Sequence, residues 1–291
     1  MTKRILVTGI NGQLGQELKK TLIPLGKVIG VGRETMDLTQ PSDIRRVIAQ
    51  AKPDFIVNAA AYTAVDKAET EVELANAINA IAPTIMAEEA DKLGAVLLHV
   101  STDYVFDGQK NTPYLEDSST NPLSVYGKSK LAGEAGIQKA CQSYIILRTA
   151  WVYGNEGKSN FVKTMLRLGK EREEIRVVTD QVGSPTWAKD IADAIAKLLL
   201  HSEKGFYHFT DSGVASWYDF AVAIFEEARQ LGFPLQVQRV IPITTAEYPT
   251  PAKRPAYSVL SHQKIIAALG TYPPYWRDSL RQMLKQLYSY S

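Results

Sequence analysis

The chain has 291 residues, 45% of them hydrophobic and 22% charged, a composition typical of a globular protein with one large domain or two small ones. Its 33 basic and 31 acidic residues leave a formal charge of +2, so bulk charge predicts neither a nucleic acid nor a membrane as a partner. The single cysteine excludes an intramolecular disulfide, and no apolar run is long enough for a signal peptide or a bilayer span. We therefore expect a cytoplasmic protein.

Strands and helices alternate over the first half of the chain. Apolar runs of the kind found in strands buried on both faces predict strands at 4–8, 28–32, 54–58, 96–101 and 144–149. Helices are predicted between them at 13–23, 42–52 and 76–93, with Pro24, Pro41 and Gly94 at their boundaries. This alternation predicts an α/β fold with a doubly wound parallel sheet of the Rossmann type.

After residue 149 the alternation weakens and prolines become frequent. Amphipathic helices are still predicted at 186–201, 217–231 and 276–288. We therefore divide the chain into a nucleotide-binding domain at 1–154 and a second region at 155–291. We expect that second region to be mainly a smaller α/β cap for the substrate, interleaved with the sheet.

The first motif is a glycine-rich turn between the first strand and the first helix. Its glycines are Gly9, Gly12 and Gly15, and the neighbouring residues that we also expect at a cofactor are Asn11, Gln13 and Leu14. Amide groups at the start of a helix can bind a pyrophosphate, and the missing side chains let it approach closely. The spacing of three and three differs from the common dinucleotide fingerprint, so a plain strand-to-helix turn is the alternative.

The residues after the second strand indicate which nicotinamide cofactor binds. Folds that bind NAD place an acidic residue there for the ribose hydroxyls, whereas this chain has Gly32 and Arg33. Arg33 suits a 2′-phosphate, which favours NADPH. The alternatives are NADH as the cofactor and Arg33 as a solvated surface charge. Asp37 and Leu38 follow at the next turn, where they could contact the adenine.

Three further residues predict carbonyl chemistry. Thr102 ends the fourth strand, and Tyr126 and Lys130 lie one helical turn apart on one helix face. The ammonium is expected to lower the pKa of the phenol, ordinarily about 10, so that Tyr126 can protonate an alkoxide while Lys130 holds the nicotinamide ribose. Thr102 would donate a hydrogen bond to the developing charge. About one such pair arises by chance, so a surface helix pair is the alternative.

Together these motifs resemble the extended short-chain dehydrogenase/reductase superfamily. Longer segments resemble one branch of it, the dTDP-4-dehydrorhamnose reductase family. These segments lie at 59–69, 101–108, 148–153, 180–186 and 250–255, so the resemblance extends over nearly the whole chain.

The resemblance implies an NADPH-dependent reductase that converts dTDP-4-dehydro-β-L-rhamnose to dTDP-β-L-rhamnose, the last step in making this activated sugar. It implies a catalytic role for Thr102, Tyr126 and Lys130. It implies cofactor contacts for Gly12, Gln13, Leu14, Asp37, Leu38, Ala61, Tyr62, Thr63, Tyr126 and Lys130. Contacts with the sugar are implied for Thr102, Asp103, Tyr126 and Trp151.

Other residues have two interpretations each. Trp151 is expected either at the sugar or in the core, since tryptophans are usually well buried. Arg254 is expected either to hold the diphosphate through paired N–H groups or to be a loop charge. Asn79 is a candidate for the proton-relay asparagine of the superfamily, or a hydrogen-bonded helix residue. His99 is expected to be a core histidine outside the mechanism.

Related functions differ in the residues that they need. A dehydratase of this superfamily carries an acid after Thr-Asp, where this chain has Tyr104, so dehydration is not expected. Another nucleotide-sugar reductase or epimerase, or a non-catalytic subunit like the regulatory subunit of methionine adenosyltransferase, stays open.

Some relatives dimerise through magnesium held by glutamates. Glu17 matches one ligand but Lys189 stands at another, so we expect no metal and leave a homodimer open.

Overall fold

The structure is a computed structural model that describes residues 2–201 and 204–289. Its strands are β1 (Arg4–Thr8), β2 (Lys27–Val31), β3 (Phe55–Asn58), β4 (Val96–Thr102), β5 (Tyr144–Thr149), β6 (Val152–Tyr153), β7 (Glu174–Val178), β8 (Val182–Gly183), β9 (Thr186–Trp187), β10 (Gly205–His208), β11 (Ala215–Ser216) and β12 (Arg239–Ile243). Its α-helices are α1 (Gln13–Thr21), α2 (Pro41–Ala51), α3 (Val65–Ala68), α4 (Val72–Asn76), α5 (Ala82–Leu93), α6 (Val125–Ala140), α7 (Phe161–Glu171), α8 (Ala188–His201), α9 (Trp217–Gln230), α10 (Gln263–Leu269) and α11 (Trp276–Ser289).

Six of these strands form one parallel sheet in the order β10, β5, β4, β3, β1, β2. Helices cover both of its faces. Ile5 and Val7 point to one face, where they pack with α1 and α8, whereas Leu6 points to the other and packs with α2 and α5. This alternation follows from the two-residue repeat of a strand. The prediction of a doubly wound α/β fold is confirmed.

The second half of the chain contributes to this sheet and also forms a second core. Helix α8 packs on α1, and β10 pairs with β5 at the edge of the sheet. Helix α8 and strand β10 therefore complete this part of the fold although they follow position 154. A separate hydrophobic cluster joins α7, α9 and α11 with β7 and β12, and we call these five elements the cap. The division into 1–154 and 155–291 stays a prediction.

Two helix predictions were wrong in detail. The helix predicted at 76–93 begins earlier, at Val72, and contains a π-helical turn at Ala77–Ile81 before it ends at Gly94, whose φ is +63°. The helix predicted at 186–201 begins at Ala188, because Thr186–Trp187 pairs with β6 as a short strand. Both differences depend on tertiary contacts that helical periodicity does not reveal.

Candidate active site

The glycine-rich turn after β1 is packed tightly against the turn after β3. Gly9 has a φ of +65°, and a Cβ atom there would lie 2.9 Å from the backbone of Ala60. A Cβ atom at Gly15 would lie 2.1 Å from the carbonyl oxygen of Gly9. Gly12 caps α1, whose first amide groups face the turn. Glycine is therefore required for this backbone path, which leaves the start of the helix open to an anion.

A cavity of about 360 Å³ opens beside this turn. Residues of the predicted cofactor set that line it are Gly9, Arg33, Asp37, Leu38, Ala61, Tyr62 and Thr63. Other residues complete the wall, among them Thr8 at the end of β1 and Gly32 and Ala60 in the loops after β2 and β3. Since the carboxyl ends of parallel strands meet at one edge, this is where such sheets bind nucleotides.

The cavity wall suits a nucleotide with an extra phosphate. Arg33 lies in the wall with no acidic residue at position 32, where Gly32 stands. The Asp37 carboxylate accepts hydrogen bonds from the amide and hydroxyl of Thr39, which lower its pKa. Asp37 is thus held in its own turn, and the Arg33 cation lies in the same cavity wall. The residues present fit NADP(H) better than a dinucleotide without the 2′-phosphate.

Other residues of the predicted cofactor set lie in the turn and the first helix. The side-chain amide of Asn11 lies against Gly32, where a Cβ atom would approach its Nδ2 to 2.8 Å. The Gln13 Oε1 accepts a hydrogen bond from Asn160 Nδ2 at 2.7 Å, which joins α1 to the loop before α7. Leu14 is buried in the core shared with α8. Their contacts with a cofactor stay predictions.

The predicted catalytic residues come together where β4 ends and α6 begins. Ser124 caps α6 by accepting a hydrogen bond from the amide of Gly127, which starts the helix at Val125. This start places Tyr126 and Lys130 on one helix face beside the end of β4. The Thr102 hydroxyl donates to Asp103 Oδ1 at 3.0 Å and also lies within hydrogen-bonding reach of the Tyr126 phenol.

The expected effect of Lys130 on the phenol pKa is wrong for this structure. Burial raises the pKa of Tyr126 to about 12, and the hydrogen bond with Thr102 opposes that rise. The Lys130 ammonium instead lies 3.0 Å from His99 Nε2 and donates to the carbonyl oxygen of Val100 at 2.7 Å. Burial lowers the pKa of Lys130 to about 8, against the opposing influence of Glu134. At neutral pH the Tyr126 phenol is therefore protonated, whereas Lys130 is still mostly charged and loses its charge as the pH rises through about 8.

Asp103 is a buried carboxyl group beside this pair. It is 2% exposed, and burial raises its pKa to about 6, with hydrogen bonds from Ser258 and Thr102 acting in the opposite direction. Among the described residues, its Oδ2 makes no close hydrogen bond. A buried carboxylate oxygen without a donor is costly, so a sugar hydroxyl is a suitable partner for it.

Trp151 lies at the boundary between the sheet and the cap. Its indole stacks on Trp217 of α9, with ring centroids 3.6 Å apart and planes 6° from parallel. Its backbone has a φ of +48°, which is rare for a residue with a side chain. The same indole closely approaches Gly183, near the hydroxyl of Ser258. The structure therefore fixes Trp151 at the boundary, and its contact with the sugar stays a prediction.

The Arg254 guanidinium is paired rather than free. Its Nη1 and Nη2 donate to the two carboxylate oxygens of Asp66 at 3.1 and 2.7 Å. This ion pair holds the pKa of Asp66 below its usual value. The pair also connects the loop at 250–254 to α3, which follows β3. A planar, doubly bound carboxylate occupies the geometry that a phosphate would need, so a role in binding diphosphate stays a prediction.

Asn79 lies in the π-helical turn and has three hydrogen bonds. Its Oδ1 accepts from the amide of Tyr62 at 2.8 Å, and its Nδ2 donates to the Tyr62 carbonyl and to Ser129 Oγ, each at 3.1 Å. These bonds join the loop at the cofactor cavity to α6. They match the interpretation of Asn79 as a hydrogen-bonded helix residue, and a proton-relay role stays a prediction.

His99 is a buried, hydrogen-bonded core histidine, as the sequence predicted, but its partners lie closer to the site than expected. It is 1% exposed, as expected for a core histidine, but its Nε2 lies beside the Lys130 ammonium. A usable signal was present, because Thr8, Asn58 and His99 are polar residues near the ends of three predicted strands. In a parallel sheet such positions meet at one edge.

No metal site is evident among residues 2–201 and 204–289, where no group of three His, Cys, Asp or Glu side chains is arranged to hold an ion. The residues weighed for a magnesium bridge have other partners. Glu17 lies 3.6 Å from the ammonium of Lys20, and Lys189 pairs with Asp193 at 2.7 Å.

Within the same described ranges, no helix combines the length and apolar character needed to cross a membrane.

Comparisons with known proteins agree with this geometry. The sequence profile of the family described as "RmlD substrate binding domain" matches residues 3–289. The dTDP-4-dehydrorhamnose reductase of Burkholderia thailandensis is 44% identical, with 98% of this chain and 99% of the relative covered. The Escherichia coli enzyme of that name is also 44% identical, with 98% of each covered.

Solved structures give the same result. The crystal structure of dTDP-4-dehydrorhamnose reductase from Bacillus anthracis in complex with NADP superposes with a TM-score of 0.93 at 39% identity. The match covers 98% of this chain and 100% of that one. A profile match over nearly the whole length, together with relatives of this identity and coverage, is sufficient to assign a family. The chain belongs to the dTDP-4-dehydrorhamnose reductase family.

Proposed function

We propose that this protein reduces dTDP-4-dehydro-β-L-rhamnose to dTDP-β-L-rhamnose with NADPH, the last step of dTDP-L-rhamnose formation. The observation that carries the proposal is the convergence of Thr102, Tyr126 and Lys130 at the sheet edge that also forms the nucleotide cavity. The names of the curated relatives support the substrate, and the NADP complex of the Bacillus anthracis enzyme supports the cofactor.

The residues of the site divide the work of the reaction. NADPH, when bound, supplies a hydride to carbon 4 of the keto sugar. Tyr126 then donates its phenolic proton to the alkoxide oxygen that forms. Since burial raises the pKa of this phenol to about 12, Tyr126 is protonated at neutral pH and available as an acid. Lys130, one helical turn away with its ammonium at His99 and Val100, would offset the charge left on the phenolate at longer range.

The substrate side of the site supplies orientation. Thr102 is placed to donate to the same oxygen as the charge develops, and Asp103 to accept from a sugar hydroxyl. Trp151 would provide an apolar wall for the ring, and Arg254 a cation for the diphosphate. In this role Arg254 would have to exchange at least part of its pairing with Asp66 for the diphosphate.

The alternatives have less support. An epimerase or a non-catalytic subunit would be compatible with the cavity alone. The reductase proposal draws instead on the Tyr126 phenol and the buried Lys130, together with full-length relatives that carry the reductase name. We also propose a cytoplasmic location. A homodimer is left as a proposal that light scattering of the purified protein tests directly.

A direct assay tests the reductase function. The keto sugar would be generated in place by the enzymes that precede this step, and NADPH absorbance would be followed after the purified protein is added. We expect oxidation of NADPH that depends on both protein and keto sugar, slower oxidation of NADH, and formation of dTDP-rhamnose. No oxidation of either nucleotide with the dTDP sugar would contradict the proposal.

A further inference from the structure

A row of buried polar side chains crosses the sheet next to Lys130. Thr8 on β1 is the register partner of Asn58 on β3, and Asn58 is the partner of His99 on β4. None of the three is more than 1% exposed. Polar groups are costly in such a place unless each is hydrogen-bonded, so the arrangement of their hydrogens is constrained.

The row is continuous from the cofactor cavity to the lysine. Thr8 lines the cavity, and its Oγ1 donates to Asn58 Oδ1 at 2.6 Å. Asn58 Nδ2 lies 2.9 Å from His99 Nδ1, and His99 Nε2 lies 3.0 Å from Lys130 Nζ. Four side chains thus connect the wall of the nucleotide site with the ammonium of the catalytic pair.

The hydrogens of this row cannot all be placed when Lys130 is charged. A neutral imidazole has one donor nitrogen and one acceptor nitrogen. Burial and the nearby Lys130 hold the pKa of His99 well below its usual value, so its ring stays neutral. Asn58 Nδ2 donates to Nδ1 and an ammonium donates to Nε2, which would require two acceptors on one ring.

Rotation of the Asn58 amide removes the conflict and reverses its bonds to both His99 and Thr8. With Lys130 charged, Nε2 accepts from it, Nδ1–H donates to the Asn58 oxygen, and Asn58 Nδ2 donates to Thr8 Oγ1. The weaker bond at 3.3 Å from the Ala60 amide to Asn58 Oδ1 is then lost. With Lys130 uncharged, Nε2–H donates to Nζ and the amide keeps the orientation described above. In both arrangements the Ala60 amide can donate to Thr8 Oγ1 at 3.3 Å and Val100 can accept from Nζ at 2.7 Å.

We propose that His99 is a positioning residue that holds Lys130 through its Nε2, and that its tautomer follows the charge of Lys130. A neutral ring holds the amine in place and lets it gain or lose its proton. A carboxylate in the same position would keep the amine charged. The titratable groups around Lys130 are Tyr126 and Glu134 on its own helix and Asp103, which acts on Tyr126, in addition to His99. Arg148 of β5 pairs with Glu134 at 2.7 Å and thereby offsets its charge.

Nitrogen-15 NMR of protein labelled at the histidine ring nitrogens tests the tautomer without cofactor or substrate. The chain has four histidines, and the His99 signals are those that disappear in His99→Gln. We expect a neutral ring throughout, with hydrogen on Nδ1 below the pKa of Lys130, about 8, and on Nε2 above it. Lys130→Met should hold one tautomer over the whole range. An imidazolium near neutral pH, or a single tautomer in the unmodified protein, would overturn the proposal.

Two amide variants test the positioning role, which rests on the proposed reductase function. The glutamine of His99→Gln can place an amide atom near the position of Nε2, whereas the asparagine of His99→Asn reaches only the position of Nδ1. We expect kcat of His99→Asn to be lower than that of His99→Gln by on the order of tenfold, because an ammonium loses its partner. Their unfolding temperatures should be similar.

Equal kcat values in two equally folded variants would overturn the positioning role. The two tests also separate the possible failures. A protein without reductase activity would refute the proposed function and leave the NMR titration as the measure of the tautomer, while an active protein with equal variants would refute the role of His99 alone.

Discussion

The cofactor side and the substrate side of the site are built in different ways. The cofactor cavity is formed by the loops after three neighbouring strands, and its glycines pack directly on other backbone atoms. The substrate side depends on pairs of side chains distant in sequence, Trp151 with Trp217 and Arg254 with Asp66. A single added carbon atom in the glycine turn should therefore disrupt cofactor binding. On the substrate side, each substitution should lower the affinity for the sugar nucleotide by only a part.

The largest effect is expected in the glycine turn. Gly15→Ala places a Cβ atom 2.1 Å from a backbone oxygen, whereas Gly12→Ala places one 3.2 Å from the same oxygen, that of Gly9. We expect Gly15→Ala to weaken NADPH binding by about 100-fold or more, because the backbone of the cradle must shift, and Gly12→Ala to weaken it less. Fluorescence titration with NADPH measures both. Equal losses would show that the packing of the turn is not what sets affinity.

The next effect is a dependence of turnover on pH. The proposed mechanism needs the charged form of Lys130, whose ammonium lies at His99 one helical turn from the phenol, and burial lowers its pKa to about 8. Charge is lost as pH rises through that value, so kcat should be constant below it and fall about tenfold per pH unit above it. A kcat profile that stays flat to the usual lysine range near pH 10 would contradict the required charge.

A smaller effect is expected at the ion pair of the substrate side. Arg254→Gln should raise KM for the dTDP sugar by about tenfold, since a hydrogen bond to a charged group is lost, and should leave the Kd for NADPH unchanged. Asp66→Asn serves as the matched control, because it frees the guanidinium without removing it. Arg254→Gln with an unchanged KM would exclude this arginine from the diphosphate site.

The smallest effect is expected at the stacked tryptophans. Trp151→Phe keeps an aromatic ring but reduces the stacked area, so KM for the sugar should rise about two- to tenfold. Trp217→Phe should produce part of the same change through the loss of support for Trp151. If Trp151→Phe lowers the unfolding temperature without a change in KM, Trp151 serves the core alone.

The same contrast explains what the sequence could predict. The five strands that were predicted lie within one residue of their observed ends, because strands buried on both faces have continuous apolar runs. Strand β10 was missed, since it is a four-residue edge strand in a region where the alternation of elements had weakened. The glycine turn is a local motif and was found from its place between a predicted strand and a predicted helix.

Contacts between residues that are distant in the sequence could not be predicted from local patterns. The partner of Arg254 lies 188 positions earlier in the chain, and no local pattern connects it to Asp66. The Lys130 side chain points toward His99 rather than toward the phenol. This direction depends on how β4 packs against α6, which local sequence does not reveal. Helical spacing predicted that Tyr126 and Lys130 share a face, but burial decided their pKa values.

The central claim is that Tyr126 is the acid of a carbonyl reduction at this site, and Tyr126→Phe tests it most directly. The variant keeps the ring and loses only the hydroxyl, so its Kd for NADPH should stay near that of the unmodified protein. Its kcat with the dTDP keto sugar should fall by about 10²- to 10⁴-fold, the usual contribution of a positioned acid. A kcat equal to that of the unmodified protein would contradict the account.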